Sequence, residues 1–181
     1  MVKTVALLTS ALLFSSLAHA DYQLELGAGI NNAQTKLDIA DNVTPVTSSG
    51  WKVGGHLHAG VRRPVSAHSS WGMGLDLDSA NGKTLVSFNA LDYRYLFSDK
   101  YSVGAFVGGA RLQDGIPAWG YSYGFYGRWQ HALAGADLEL KYHKARQVAR
   151  DKLLPGDPQN TVTQEVFRTV TVLTVSLVWH F

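Results

Sequence analysis

Ala132-Leu133-Ala134-Gly135-Ala136-Asp137-Leu138-Glu139-Leu140-Lys141-Tyr142-His143 is the stretch whose reading decides the fold. Ala134, Ala136, Leu138, Leu140 and Tyr142 take every second place, and Asp137, Glu139, Lys141 and His143 stand opposite them. A period of two places successive side chains on opposite faces of a strand. One face of this strand is therefore apolar, and the other is made of ionisable groups.

Seven further segments repeat the pattern. Tyr22 to Ile30 sets Tyr22, Leu24, Leu26, Ala28 and Ile30 against Gln23 and Glu25. Trp51 to Arg62 sets Trp51, Val53, Leu57, Ala59 and Val61 against Lys52, His56, His58 and Arg62. Trp71 to Ser79 opposes Trp71, Met73, Leu75 and Leu77 to Asp76 and Asp78. Thr84 to Phe97 alternates cleanly only in its second half, where Leu91, Tyr93, Tyr95 and Phe97 face away from Asp92 and Arg94. Tyr101 to Leu112 and Trp119 to Gln130 follow, the latter with Ser122, Tyr126 and Arg128 on its polar side. The last segment, from about Glu165, carries Thr169, Thr171, Leu173, Val175, Leu177, Trp179 and Phe181 on one face, with Arg168, Ser176 and His180 on the other.

A soluble β-sandwich also alternates, so the residues sharing a face must decide. Glu25, Asp76, Asp78, Asp92, Asp137 and Glu139 share the polar face with Lys52, Arg62, Arg94, Arg128, Lys141 and Arg168, a balance of acids and bases. In a barrel of about eight strands the lumen is just wide enough to be filled by side chains, so charges there must pair or bear a desolvation penalty. Neighbouring strands suggest His56 or His58 with Asp76 or Asp78, Arg128 with Asp137 or Glu139, and Lys141 or Glu139 with Arg168.

Aromatic residues gather at strand ends, as the two interfaces of a membrane favour. Tyr22, Trp71, Tyr95, Tyr101, Trp129 and Trp179 would form one girdle, and Trp51, Trp119, Tyr121 and Tyr142 the other. Connections alternate in length as bacterial barrels require. Asn31 to Gly50 and Lys144 to about Thr163 are the long external loops, Ser98 to Lys100 and Gln130-His131 are tight periplasmic turns, and Asn81-Gly82 is a two-residue hairpin turn. Arg63 to Ser70 is longer than a periplasmic turn needs to be.

The chain of 181 residues has the size of one domain, and its 16 basic and 14 acidic residues argue against a nucleic-acid partner. It has no cysteine, hence neither disulfides nor thiolate metal sites. Residues 1–20 combine Lys3, an apolar run from Val5 to Leu17 and the ending Ala18-His19-Ala20, which reads as a cleaved secretory signal; residues 21–181 form the barrel domain. No later stretch is long and apolar enough for a spanning helix.

The chain ends in Val178-Trp179-His180-Phe181, with Leu173, Val175, Leu177 and Trp179 at every second place before the terminal Phe181. This resembles the sorting signal that the outer-membrane barrel-assembly machinery reads. Together with the strand count, the chain resembles the small eight-stranded barrels of the OmpA transmembrane domain, OmpX, OmpW and opacity-protein type. The resemblance implies an all-β, eight-stranded antiparallel up-and-down transmembrane barrel in the outer membrane, in contact with its lipid and lipopolysaccharide. It carries over no functional residue, and a monomer is expected.

The expected function is a non-catalytic barrel, its lumen plugged by paired charges, with a structural or surface-interaction role through its external loops. Lys144, Arg146, Arg150 and Lys152 would face the phosphorylated leaflet there. A narrow gated pore is the second reading. A lipid A-modifying enzyme is the third, but His68-Ser69-Ser70 falls on the periplasmic side and His143 has no adjacent serine. His56 and His58, spaced i and i+2, could hold a metal with Asp76 or Asp78; the reading adopted makes them hydrogen-bonded lumen residues. No cofactor is expected.

Overall fold

The computed structural model describes residues 22–39, 47–113, 119–133, 135–150 and 166–181. The expected signal segment, residues 1–20, lies outside them, as do Lys152 and the side chain of Arg150. The strands are β1 (Gln23–Ile39), β2 (Thr47–Ser48), β3 (Lys52–Pro64), β4 (Ser69–Ala80), β5 (Lys83–Ser98), β6 (Tyr101–Leu112), β7 (Gly120–Leu133), β8 (Ala136–Arg150) and β9 (Val166–His180).

From β3 onward each strand pairs antiparallel with the next, β3 pairs with β1, and β9 returns to β1 from Glu25↔His180 to Ile39↔Val166. The two residues of β2 only extend the end of β1. Among the described residues eight long strands thus close into an antiparallel barrel, one of the two backbone arrangements a bilayer tolerates.

The two faces are sorted as the alternation requires. Along β8, Leu138 and Leu140 are exposed while Asp137, Glu139, Lys141 and His143 are buried. The exposed side of the wall carries Leu26, Ile30, Val53, Leu57, Leu75, Val107, Phe125 and Val175. At the end bearing the C-terminus lie Tyr22, Trp71, Tyr95, Tyr101, Trp129 and Trp179, and at the other Trp51, Trp119 and Tyr121. Tyr142 departs from the expected girdle, because its register partner is Phe125, in the middle of β7, on which it stacks at 5.1 Å.

Several boundaries differ from the sequence reading, each for a local reason. β1 does not stop at Ile30 but runs to Ile39. Its polar residues work inside: Asn31 Nδ2 donates to Gly55 O at 3.0 Å and to Asp78 Oδ1 at 2.8 Å. β8 likewise runs through Lys144 and Arg146 to Arg150, with Ala145 and Gln147 buried and Gln147 Oε1 accepting from Leu112 N at 2.8 Å. The turn expected at Gln130-His131 falls instead between Leu133 and Ala136, where Gly135 supplies a φ of 79°. His131 adopts φ 51° within β7, and its N–H donates to the Asp137 carboxylate. The blurred half of the fourth segment is a bulge. Asn89 pairs with Gly108 and Leu91 with Val107, so Ala90 is the extra residue and the inward set shifts from Leu85, Ser87 and Asn89 to Asp92 and Arg94. Asn81 and Gly82 form the expected two-residue turn, both with positive φ.

Connections at the terminus-bearing end are short: Val65 to His68, Asp99-Lys100, and residues 134–135. Outer-membrane barrels turn short connections to the periplasm; by that rule this end corresponds to the periplasmic one, with Asn81-Gly82 as the single equally short turn described at the opposite end.

Candidate functional site: the ionic lumen

Strand pleating alone brings charges from distant parts of the chain into one interior. Nearest the periplasmic end, Glu25 receives Arg94 Nη2 at 2.7 Å, Arg128 Nη1 at 3.1 Å and Arg62 Nε at 3.4 Å, so β1, β3, β5 and β7 meet on one carboxylate. Arg128 also pairs with Glu139, and Arg62 Nη2 lies 2.7 Å from Asp92. Tyr126 stands among these groups: its hydroxyl donates to Asp92 at 2.7 Å and accepts from Arg62 at 3.0 Å, while Arg94 and Arg128 lie over its ring. The ring fits because Gly104 faces it, and a Cβ there would fall on the phenol. His180 closes this tier, with Nε2 at 2.8 Å from Asp137 and Nδ1 at 3.4 Å from Glu25.

A second tier lies further from the C-terminus. Asp76, fully buried, binds His58 Nδ1, Lys141 Nζ and Asn89 Nδ2, each at 2.7 Å. Asp78 binds His56 Nδ1 and Asn31 Nδ2 at 2.8 Å, and His143 Nδ1 lies 3.7 Å away. The expected histidine–aspartate pairs are therefore His56–Asp78 and His58–Asp76. Each ring serves its own carboxylate, and among the described residues no three such groups converge on one point as a metal would require.

Beyond the second tier the interior turns apolar. Ala33, Ala80, Leu85, Ala110, Leu112, Ala145, Val170 and Val172 form one buried cluster across six strands. Alternation does not reveal this layer: between Arg168, Ser176 and His180 on the inward face of β9 stand Val170 and Val172, as apolar as the outward residues beside them.

Two residues assigned to the charge network lie elsewhere. Lys52 is exposed, and Arg168 is only part-buried; both line the outer mouth above the apolar layer with Thr35, Leu37, Ser49 and Lys83. Lys141 accordingly pairs with Asp76 rather than with Arg168. Three residues assigned to an external loop, Lys144, Arg146 and Arg150, belong instead to strand β8, and Arg146 lies over the Phe167 ring at 4.5 Å.

One catalytic-looking order of groups was not legible in the sequence: Ser87 Oγ lies 3.4 Å from His143 Nε2, whose Nδ1 faces Asp78. The sequence separates the three residues widely, so only strand register unites them. All three are buried, Ser87 completely, at the level of the second ionic tier and below the apolar layer. His68 is exposed in the turn after β3, beside a Ser66–Ser69 hydroxyl pair.

No protein-family model matches this chain, and no curated protein matches it. Similar solved structures exist. Neisserial surface protein A is 12% identical with a TM-score of 0.47, over 90% of this chain and 98% of that one. The attachment invasion locus protein Ail of Yersinia pestis is 10% identical with a TM-score of 0.46, over 88% and 99%. The outer membrane protein OprG of Pseudomonas aeruginosa is 9% identical with a TM-score of 0.38, over 90% and 97%. At such identities the likeness is one of architecture alone. In fold, the chain is a small antiparallel β-barrel of eight long strands, closed where β9 meets β1.

Proposed function

We propose that this chain is an integral outer-membrane barrel, exported by a signal at residues 1–20, whose interior passes no solute and whose role is structural or surface-interacting, without catalytic activity. The observation that carries this reading is the filled interior: two tiers of paired charges capped by an apolar layer of Leu85, Leu112, Val170 and Val172. Paired side chains remove the water path through the charges, and an apolar constriction resists wetting. A role then belongs to the outer ends of the strands and their connections, which a rigid wall holds in place.

Its partners on this reading are outer-membrane lipid and lipopolysaccharide, whose phosphates would draw Lys144 and Arg146 on the outer part of β8, and, during biogenesis, the barrel-assembly machinery. Leu173, Val175, Leu177, Trp179 and Phe181, which face outward along β9, are the residues that machinery would read. The buried Ser87, His143 and Asp78 support the non-catalytic reading, since an acyl group would have to cross either the ionic tiers or the apolar layer to reach them.

Planar-bilayer recording of refolded protein tests this directly. The expected result is a membrane without steady unitary currents. Steady currents that vanish when Arg128 or Glu139 is replaced would substitute the gated-pore reading.

A further inference from the structure

The buried ionic network is two positive charges short. Among the described residues six carboxylates are buried, Glu25, Asp76, Asp78, Asp92, Asp137 and Glu139, against four permanent cations, Arg62, Arg94, Arg128 and Lys141. The shortfall is shared between the tiers. The lower tier holds Glu25, Asp92, Asp137 and Glu139 with three arginines, which pair with Glu25, Asp92 and Glu139; the upper tier holds Asp76 and Asp78 with Lys141, which pairs with Asp76. Lys52 and Arg168, which would have balanced the count, stand above the apolar layer. A dry interior penalises unpaired charge heavily, so each tier needs one more cation.

Histidines supply the groups that can provide it. In the lower tier the His180 ring lies between two carboxylates, Glu25 on Nδ1 and Asp137 on Nε2. A neutral imidazole donates from one nitrogen only; an imidazolium donates from both. Arg128 stands behind the same carboxylate, Glu25. In the upper tier His56 and His58 hold Asp78 and Asp76 by Nδ1. Their Nε2 atoms are buried without hydrogen-bond partners and face the next carboxylates, Asp76 at 4.0 Å and Glu25 at 3.8 Å. On neutral rings with Nδ1–H donating, both Nε2 lone pairs would point at negative charge. Lys141 also contacts Asp76, and His143 contacts Asp78, but the second nitrogen of His143 meets only the neutral Ser87 hydroxyl.

We propose that the folded barrel binds two protons as its compensating cations, one on His180 and one held in common by His56 and His58. The His180 side chain is 26% exposed at the periplasmic end, so its proton exchanges with that compartment. The upper proton is enclosed, since His56 and His58 are 2% and 6% exposed. The barrel is thereby a proton-bound structure, with one proton at the seam where β9 meets β1 and the other between β3 and β4.

The inference rests on the solute-closed reading of the interior, and charge rescue tests the two separately. His180→Gln is expected to lower the yield of compact, heat-modifiable protein refolded in detergent micelles at pH 7 by about tenfold. The double variant His180→Gln with Asp137→Asn, which removes one acid along with the proton, is expected to recover most of it. In the upper tier, His56→Gln with His58→Gln should fail in the same assay, and Asp78→Asn added to them should restore folding. A merely structural role for these rings predicts the reverse, because each added substitution deletes a further hydrogen bond. Nitrogen-15 spectra of wild-type imidazoles at pH 7 should show His180 with both nitrogens protonated. Absence of rescue in both tiers, or a neutral His180, overturns the proposal. Steady conductance by the wild type would instead count against the closed interior and leave the rescue pattern readable.

Discussion

Arg128→Met is expected to destabilise the refolded barrel by about 3–5 kcal/mol, the cost of leaving a buried carboxylate without its partner. Arg128 is 3% exposed and bridges Glu25 of β1 to Glu139 of β8. Glu25 keeps Arg94 and Arg62, so the loss falls chiefly on Glu139, fully enclosed next to Lys141 on the same strand face. The measurement is the urea midpoint of unfolding from lipid vesicles. Adding Glu139→Gln should recover part of the loss, because two neutral groups are tolerated where one orphaned charge is not. Lys52→Met is the contrast. The sequence places Lys52 in the same network, but the structure exposes it, and its substitution is expected to stay within about 0.5 kcal/mol of wild type. Equal effects at Arg128 and Lys52 would mean that the lumen charges are not sequestered.

Ile30→Arg is expected to cost about 2–4 kcal/mol in the same assay, the penalty for a cation at the midplane of an outer-membrane barrel's lipid face. Ile30 lies within the stretch of β1 that pairs with both β3 and β9, is 64% exposed, and pairs with Gly55 and Val175. Its neighbour Gly55 offers no side chain to clash with the new one. In a water-soluble barrel the same exposed position would tolerate arginine within about 0.5 kcal/mol, so the size of the effect reports the medium rather than the packing.

The wall was legible in the sequence because each strand repeats one rule: apolar outward, polar inward, period two. Strand number, up-and-down order and the face of almost every charged residue follow from it. What escaped the sequence has two physical causes. The first is that inward-facing residues at the outer end of the barrel are not all polar. Val170 and Val172 are as apolar as the outward Leu173 and Val175, so alternation fades where the lumen is sealed. The second is that polarity alone does not mark a loop. Asn31 and Gln147 look like loop residues, yet both satisfy lumen partners and prolong β1 and β8 well beyond the expected boundaries.

The site was legible as a composition and not as a geometry. Register pairs His56 with Asp78 and His58 with Asp76 on the adjacent strands β3 and β4, which the sequence offered as alternatives. Contacts across the lumen, such as Lys141 to Asp76 from β8 to β4, or three arginines on Glu25, depend on barrel closure and have no sequence signature. The balance of charges also changed with geometry. Depth along the barrel removes Lys52 and Arg168 from the buried set, which alternation cannot show because it reports face and not height.

The most direct test of the account is the medium that touches the outer wall. Nitroxide labels placed singly at Ile30, Val107 and Val175 in vesicle-reconstituted protein should relax readily with dissolved oxygen and weakly with a water-soluble nickel chelate, the signature of hydrocarbon. Labels that respond more to the nickel chelate than to oxygen at all three positions would place the apolar face in water and contradict the account.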